Sequence, residues 1–202
     1  MKIEYVVLDK NLRIEEFKEA VAILPPERQA KIARYRFEND KLLSLAAGLL
    51  IRRAIGESLI IFGEHDKPYA ESGVYFSVSH SGSVAAIAVD DVEVGLDVEQ
   101  IPDESRLKIA DRFYHPNERA YVRGAEDQCS AFCEIWTRKE AVLKMTGEGI
   151  STDLTAFDTT ALPLSAQLDT SGLNGYCMSV CSAEQLGEKK IDISKLELKD
   201  LL

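Results

Sequence analysis

Two short stretches of this chain concentrate groups able to do chemistry. Residues 94–99 read VGLDVE. On a strand, Asp97 and Glu99 point to one face while Leu96 and Val98 point to the other. Two adjacent carboxylates repel unless a cation sits between them, and a hard divalent ion suits such oxygen donors. Alone, Asp-x-Glu also fits the solvent face of an edge strand. Further along, 133–150 reads CEIWTRKEAVLKMTGEGI, rich in helix formers and ending at Gly147 and Gly149. Trp136, Glu140 and Lys144 are spaced by four and share one stripe of that helix. Glu140 and Lys144 could be no more than an exposed ion pair worth about 0.3–0.5 kcal/mol. Taken with the strand, they complete a larger set. Asp97, Glu99 and Glu140 offer three oxygen donors to one ion, and Lys144 lies one turn on, where it could meet a phosphate. Magnesium suits this set because it takes octahedral oxygen coordination and keeps positions for water and substrate phosphates.

Other elements must bring these groups together. Hydrophobic patterning predicts strands over 3–8, 74–79, 84–89, 92–99, 164–168, 175–180 and 191–198. It predicts helices over 14–24, 26–35, 41–55, 105–113, 117–123 and about 127–145. Ser81-Gly82 and Asp90-Asp91 are natural turns, so the three strands between 74 and 99 read as an antiparallel meander. Helix 41–55 is strongly apolar and reads as a core helix, with Gly48 allowing close packing and Arg52-Arg53 favoured near its C-terminus. Helix 26–35 carries Arg28, Lys31 and Arg34 along one side, a solvated face in the plainest reading. His80 sits at a strand end between Ser79 and Ser81, where it could be structural or could touch a phosphate. Each half runs helices, then strands, which predicts an α+β protein of two halves, 1–102 and 103–202, with the seam near Ile101-Pro102-Asp103.

The 202 residues carry 24 Lys and Arg against 34 Asp and Glu, a formal charge of −10. That balance argues against general nucleic-acid binding, which rests on basic neutralisation of phosphates. A local basic cluster still suffices for one small phosphorylated ligand. No apolar run approaches membrane-spanning length and no signal peptide is apparent, so the cytoplasm is expected. Cys129, Cys133, Cys177 and Cys181 then read as free thiols, small and buried, because their spacing is not that of a usual zinc site.

The two stretches together resemble the 4′-phosphopantetheinyl transferases, specifically the longer, surfactin-synthetase-activating (Sfp-like) type. Gly95-Leu96-Asp97-Val98-Glu99 matches that family's G-x-D-x-E motif, and Trp136 to Lys144 matches W-x-x-K-E-x-x-x-K. Lys67-Pro68, Ser79-His80-Ser81 and the basic helix after Pro25-Pro26 follow in the same order, so the resemblance covers 25–150. It implies two similar α+β halves in a pseudo-twofold arrangement, with coenzyme A in the cleft between them. It implies transfer of 4′-phosphopantetheine from coenzyme A to a serine of an apo acyl or peptidyl carrier protein, releasing adenosine 3′,5′-bisphosphate. Asp97, Glu99 and Glu140 would hold Mg2+, with Mn2+ an alternative. Glu140 and Lys144 would be catalytic, Glu140 (or a water held by the acidic set) as base and Lys144 as partner of the pyrophosphate. Arg28, Lys31, Lys67, Ser79, His80 and Lys144 would contact coenzyme A. Arg28 stands where some relatives have lysine, which keeps the charge and changes the geometry. Trp136 reads as packing, and Lys139 as a surface charge or a contact at the ligand's edge. The length resembles the fused form of the family and implies a monomer. Two rivals share these residues: another metal-dependent phosphoryl or nucleotidyl transferase, and a module that binds coenzyme A or a carrier without transfer.

Overall fold

The computed structural model describes residues 1–63, 67–149, 152–161, 167–183 and 191–202. β1 (Lys2–Val7) opens the chain. Where the sequence predicts one helix over 14–24, a 3-10 turn at Ile14–Phe17 leads into the short α1 (Lys18–Ala22). α2 (Pro26–Arg34) begins with Pro26 in its first turn, where the missing N–H costs nothing. α3 (Glu38–Ile55) is the core helix, buried from 42 to 51. Gly48 admits its neighbours closely, since a Cβ there would lie 2.9 Å from Leu24 Cδ1 and 3.3 Å from Arg28 Cγ. β2 (Ile60–Phe62) and β3 (Pro68–Ala70) form a small ribbon. β4 (Tyr75–Ser81) and β5 (Val84–Asp90) form a hairpin, and β6 (Val94–Gln100) follows. A 3-10 turn at Glu104–Ile109, α4 (Ala110–Phe113), α5 (Pro116–Gly124) and α6 (Gln128–Thr146) come next. β7 (Gln167–Leu173), β8 (Tyr176–Ser182) and β9 (Asp192–Leu196) complete the strands. Most of the strand expected at 164–168 falls outside the described residues.

The architecture is α+β with two similar halves. The order opening strand, 3-10 turn, short helix, nine-residue helix, long helix, hairpin occurs twice. α2 and α5 both have 9 residues with proline in the first turn, and α3 and α6 have 18 and 19. In each half the opening strand pairs antiparallel with the second strand of the hairpin, β1 with β5 and β6 with β8.

This repeat corrects two expectations. The meander has two strands, not three: β6 leaves β5 and enters the sheet β6-β8-β7. The strand bearing Asp97 and Glu99 therefore opens the second half, and the seam lies between β5 and β6 rather than at 101–103. Adjacency in sequence favoured the local pairing, but the partner of β6 lies far along the chain. In addition, β9 returns to the first sheet, parallel to β1, and the following turn puts Leu198 and Leu201 into the first core. The last described segment thus belongs with the first half.

The sheets meet through Leu96 and Val98 of β6, Met178 and Val180 of β8, and Ile3, Ala86 and Ala88 of the first sheet, all buried. Burying side chains the size of Leu96 or Val98 contributes roughly 1.5–3 kcal/mol each. That apolar face leaves the opposite face of β6, with Asp97 and Glu99, for α6. Among the described residues no helix is long and apolar enough to cross a membrane.

Candidate active site

α6 lies directly on the acidic face of β6, and Gly95 is what permits it. A Cβ at 95 would stand 1.9 Å from Ala141 O and 2.4 Å from Met145 N. Both are backbone atoms of α6 and neither can swing aside. Asp127 caps the start of α6, its Oδ1 accepting from Ser130 N at 3.0 Å. Gly147, with φ 76°, ends the helix as its amide donates to Leu143 O at 2.8 Å. Trp136 packs as expected: its ring lies 6.3 Å from Phe132, stacked, and 6.4 Å from Phe113, edge on. One and two turns later, Glu140 and Lys144 fall beside β6.

Lys144 does not pair along its own helix. Its Nζ reaches Asp97 Oδ1 at 2.7 Å and Ser79 Oγ at 3.0 Å. Ser79 in turn donates to the same Oδ1 at 2.8 Å. Asp97 is buried, and among the described residues its other oxygen, Oδ2, has no hydrogen-bond partner. Glu99 accepts from Ser81 Oγ at 2.6 Å. Among the described residues Glu140 receives no hydrogen bond. Burial pushes the carboxyls of Asp97, Glu99 and Glu140 above their ordinary values. The charge of Asp97 adds to the rise at Glu99 and Glu140, and Glu99 adds further at Glu140. Lys144 offsets part of each rise. Asp97, Glu99 and Glu140 therefore share one acidic site in which ionisation is costly.

The expected cations approach this site from the first half. Lys67 Nζ donates to Met145 O, one of the terminal carbonyls of α6, and burial lowers its pKa. It shares a cavity of about 310 Å³ with Glu140 and Lys144. His80 is held below its ordinary pKa by desolvation first and then by the charges of Lys31, Lys144 and Arg28. Burial also lowers Arg28. Among the described residues neither Arg28 nor Lys31 pairs with a carboxylate. Ser79, expected at the ligand, has its hydroxyl engaged with Asp97. On the other side, Glu99, Ser81, Arg106 and Trp136 line a cavity of about 470 Å³.

Lys139 corrects the surface reading. It is fully buried and pairs with equally buried Glu118 at 2.8 Å. Its ammonium also donates to Leu154 O at 2.6 Å and Phe157 O at 2.9 Å. It therefore anchors α6 to α5 and the following turn and does not reach either cavity. Its position continues the apolar stripe of Phe132 and Ile135, and that spacing was the available signal. Ser81 and Tyr176 were also missed. Tyr176 Oη lies 3.0 Å from Ser83 N, tying the β4–β5 turn to β8. The cysteines are free thiols, with Cys133, Cys177 and Cys181 buried.

A divalent cation suits this donor set. All three side chains offer hard oxygens, their ionisation is disfavoured as they stand, and among the described residues a buried carboxylate oxygen of Asp97 lacks a partner. Among the described residues no three His, Cys, Asp or Glu side chains form a ready-made cage.

A family model described as the 4′-phosphopantetheinyl transferase superfamily matches residues 93–185, and one described as 4′-phosphopantetheinyl transferase, N-terminal, matches 12–92. Their boundary falls where the fold repeats. The chain is 33% identical to 4′-phosphopantetheinyl transferase psf-1 of Bacillus pumilus, over 94% of this chain and 91% of that protein. It is 28% identical to 4′-phosphopantetheinyl transferase Sfp of Bacillus subtilis over 100% of both. It is 33% identical to 4′-phosphopantetheinyl transferase gsp of Aneurinibacillus migulanus over 65% of this chain, spanning 59% of that protein. With both halves matched, and with psf-1 33% identical over most of both chains, the chain belongs to the 4′-phosphopantetheinyl transferase family.

Proposed function

We propose that this chain transfers the 4′-phosphopantetheine arm of coenzyme A to a serine hydroxyl of an apo acyl or peptidyl carrier protein, as a Mg2+-dependent monomer in the cytoplasm. The observation that carries the reading is the Asp97 carboxylate, buried between the halves, bonded to Lys144 and Ser79 through one oxygen and, among the described residues, unpartnered at the other. Asp97, Glu99 and Glu140 would hold the metal, which when bound neutralises charge on the phosphate under attack and on the leaving group. Lys67, Arg28 and Lys31 supply positive charge for the phosphates of coenzyme A from the first half, and His80, held below its ordinary pKa, offers them a neutral imidazole N–H. The serine oxygen attacks the phosphorus that carries the pantetheine arm. The bond from that phosphorus to the bridging oxygen breaks, and adenosine 3′,5′-bisphosphate leaves. Lys144, movable from Asp97, stabilises charge on the departing oxygen. Glu140, or a water held by the acidic set, takes the serine proton.

The test is the intact mass of an apo carrier protein after incubation with this chain, coenzyme A and Mg2+. One added phosphopantetheine, abolished by EDTA, is expected; ATP in place of coenzyme A leaves the mass unchanged. Asp97→Asn, which keeps the side chain's volume, is expected to fold and to abolish the gain. No gain with acyl and peptidyl carriers alike, from folded protein, would replace this reading with a binding module.

A further inference from the structure

β4 carries serine at alternate positions, 77, 79 and 81, in the stretch FSVSHS. All three face β6, whereas Phe76 on the opposite face joins the first core. β6 is bonded as a strand to β8, and the serines address it from β4. Ser77 Oγ accepts from Leu96 N at 2.9 Å and so fastens the backbone. Ser79 shares Asp97 with Lys144. Ser81 differs from both. Among the described residues it alone donates a hydrogen bond to the Glu99 carboxylate, at 2.6 Å to Oε2. Ser81 Oγ itself accepts from Gln100 N at 3.2 Å. An amide proton directed at the hydroxyl oxygen turns the hydroxyl's own proton toward Glu99.

The turn that carries Ser81 is itself fixed from two sides. Gly82 follows with φ 57°, and a Cβ there would lie 2.4 Å from Tyr176 Oη. Tyr176 Oη holds Ser83 N at 3.0 Å, and Asn39 of α3 donates to Gly82 O at 2.7 Å. Ser81 is thus a rigid point of the first half that grips a flexible carboxylate of the second.

We infer that Ser81 is a positioning residue: its hydroxyl clamps one oxygen of Glu99 so that the other is presented to the divalent cation. This rests on the reading that Asp97, Glu99 and Glu140 bind that cation. Partners that orient a metal-binding side chain typically set affinity by about 10–100-fold.

Mn2+ serves as the probe, with the free ion followed by electron paramagnetic resonance during titration of the chain without coenzyme A. Wild type is expected to bind one ion per chain. Ser81→Ala is expected to weaken binding about tenfold or more, and Ser81→Thr, which keeps a hydroxyl on a strand, to restore it. Metal-free thermal midpoints of both variants should stay near wild type. Ser81→Ala binding Mn2+ as tightly as wild type would overturn the inference and leave the metal site standing. Equal weakening in Ser81→Ala and Ser81→Thr, or a large drop in the metal-free midpoint, would also overturn it, because the hydroxyl's grip on Glu99 would not be the cause. Absence of Mn2+ binding by wild type would overturn both the inference and the metal reading beneath it.

Discussion

Lys139→Met separates anchoring from ligand contact in the helix that carries Glu140 and Lys144. Lys139 and Glu118 are fully shielded from solvent. Removing one member of a buried ion pair costs about 3–5 kcal/mol, chiefly because the other charge stays buried. Glu118 would keep three donors: His115 N at 2.8 Å, Thr159 N at 2.8 Å and Thr159 Oγ1 at 2.7 Å. Those bonds hold its share of the loss toward the lower end. The carbonyls of Leu154 and Phe157 would each lose the ammonium, and an unsatisfied buried acceptor costs about 1–3 kcal/mol. Contact of the ammonium with the Phe157 ring, 4.2 Å from its centroid, would go as well. Methionine restores most of the stem's packing, so the net loss is placed at about 4 kcal/mol. For a chain of this length that is a fall of about 8–16 °C in Tm. Urea denaturation checks the first figure and calorimetry the second. In a Glu118→Gln background the same substitution should cost at least about 1.5 kcal/mol less, because no buried anion remains to be abandoned. Well below its Tm, Lys139→Met should transfer phosphopantetheine at close to the wild-type rate. An unchanged Tm together with lost coenzyme A affinity would refute the anchoring argument and return Lys139 to the ligand.

Gly95→Ala should cost more than the usual overpacking penalty of about 1–3 kcal/mol, because its Cβ would meet the backbone of α6 at 1.9 Å; denaturant unfolding and soluble yield report it, and a variant of wild-type stability would sink the close-approach reading. Glu4 gives a pH test. Burial pushes its carboxyl up, but hydrogen bonds and charge from Lys2 and Arg53 outweigh this and hold it below its ordinary value. Its ionised form therefore stabilises the fold fully above the unfolded pKa of about 4.5. That contribution is lost as pH falls through the folded value. The stability gap between wild type and Glu4→Gln should be widest near neutrality and close on acidification, measured by urea midpoints at several pH values; a gap independent of pH would refute the ion-pair account.

What was legible in the sequence was local. Asp97 and Glu99 share a face because strand parity dictates it, and Gly147 ends α6 because a left-handed residue was needed there. Trp136, Glu140 and Lys144 align because four residues make roughly one turn. What was illegible depended on distant partners. β6 pairs with β8 and β9 with β1 across stretches that patterning cannot connect. Lys139 looked exposed because lysine is rarely buried unless paired, and its partner Glu118 comes from a different helix. Ser79 was assigned by resemblance to the ligand, yet its hydroxyl is bonded to Asp97, a contact between halves that neither segment announces alone.

Comparison of the two halves explains why the acidic site occurs in the second. Glu4 lies opposite Ile87 and Asp97 opposite Ser179, each three residues before the pair that closes its ladder, Val7 with Val84 and Gln100 with Tyr176. Glu4 and Asp97 thus hold the same register position, both are buried, and each meets a cation from the last turn of its long helix, Arg53 at 3.1 Å and Lys144 at 2.7 Å. They diverge in their surroundings. Glu4 also pairs with Lys2 at 2.6 Å, and two cations on one carboxylate hold its pKa down. Asp97 has one cation, and its charge helps raise the pKa of Glu99 and of Glu140. The outer edges differ too. β9 closes the edge of β1 with backbone hydrogen bonds, whereas β6 meets the serine hydroxyls of β4. One buried acid meets two cations, and the other meets one, with two more carboxylates beside it. That surplus of carboxylates is the physical requirement for recruiting a cation, and it arises where the halves meet.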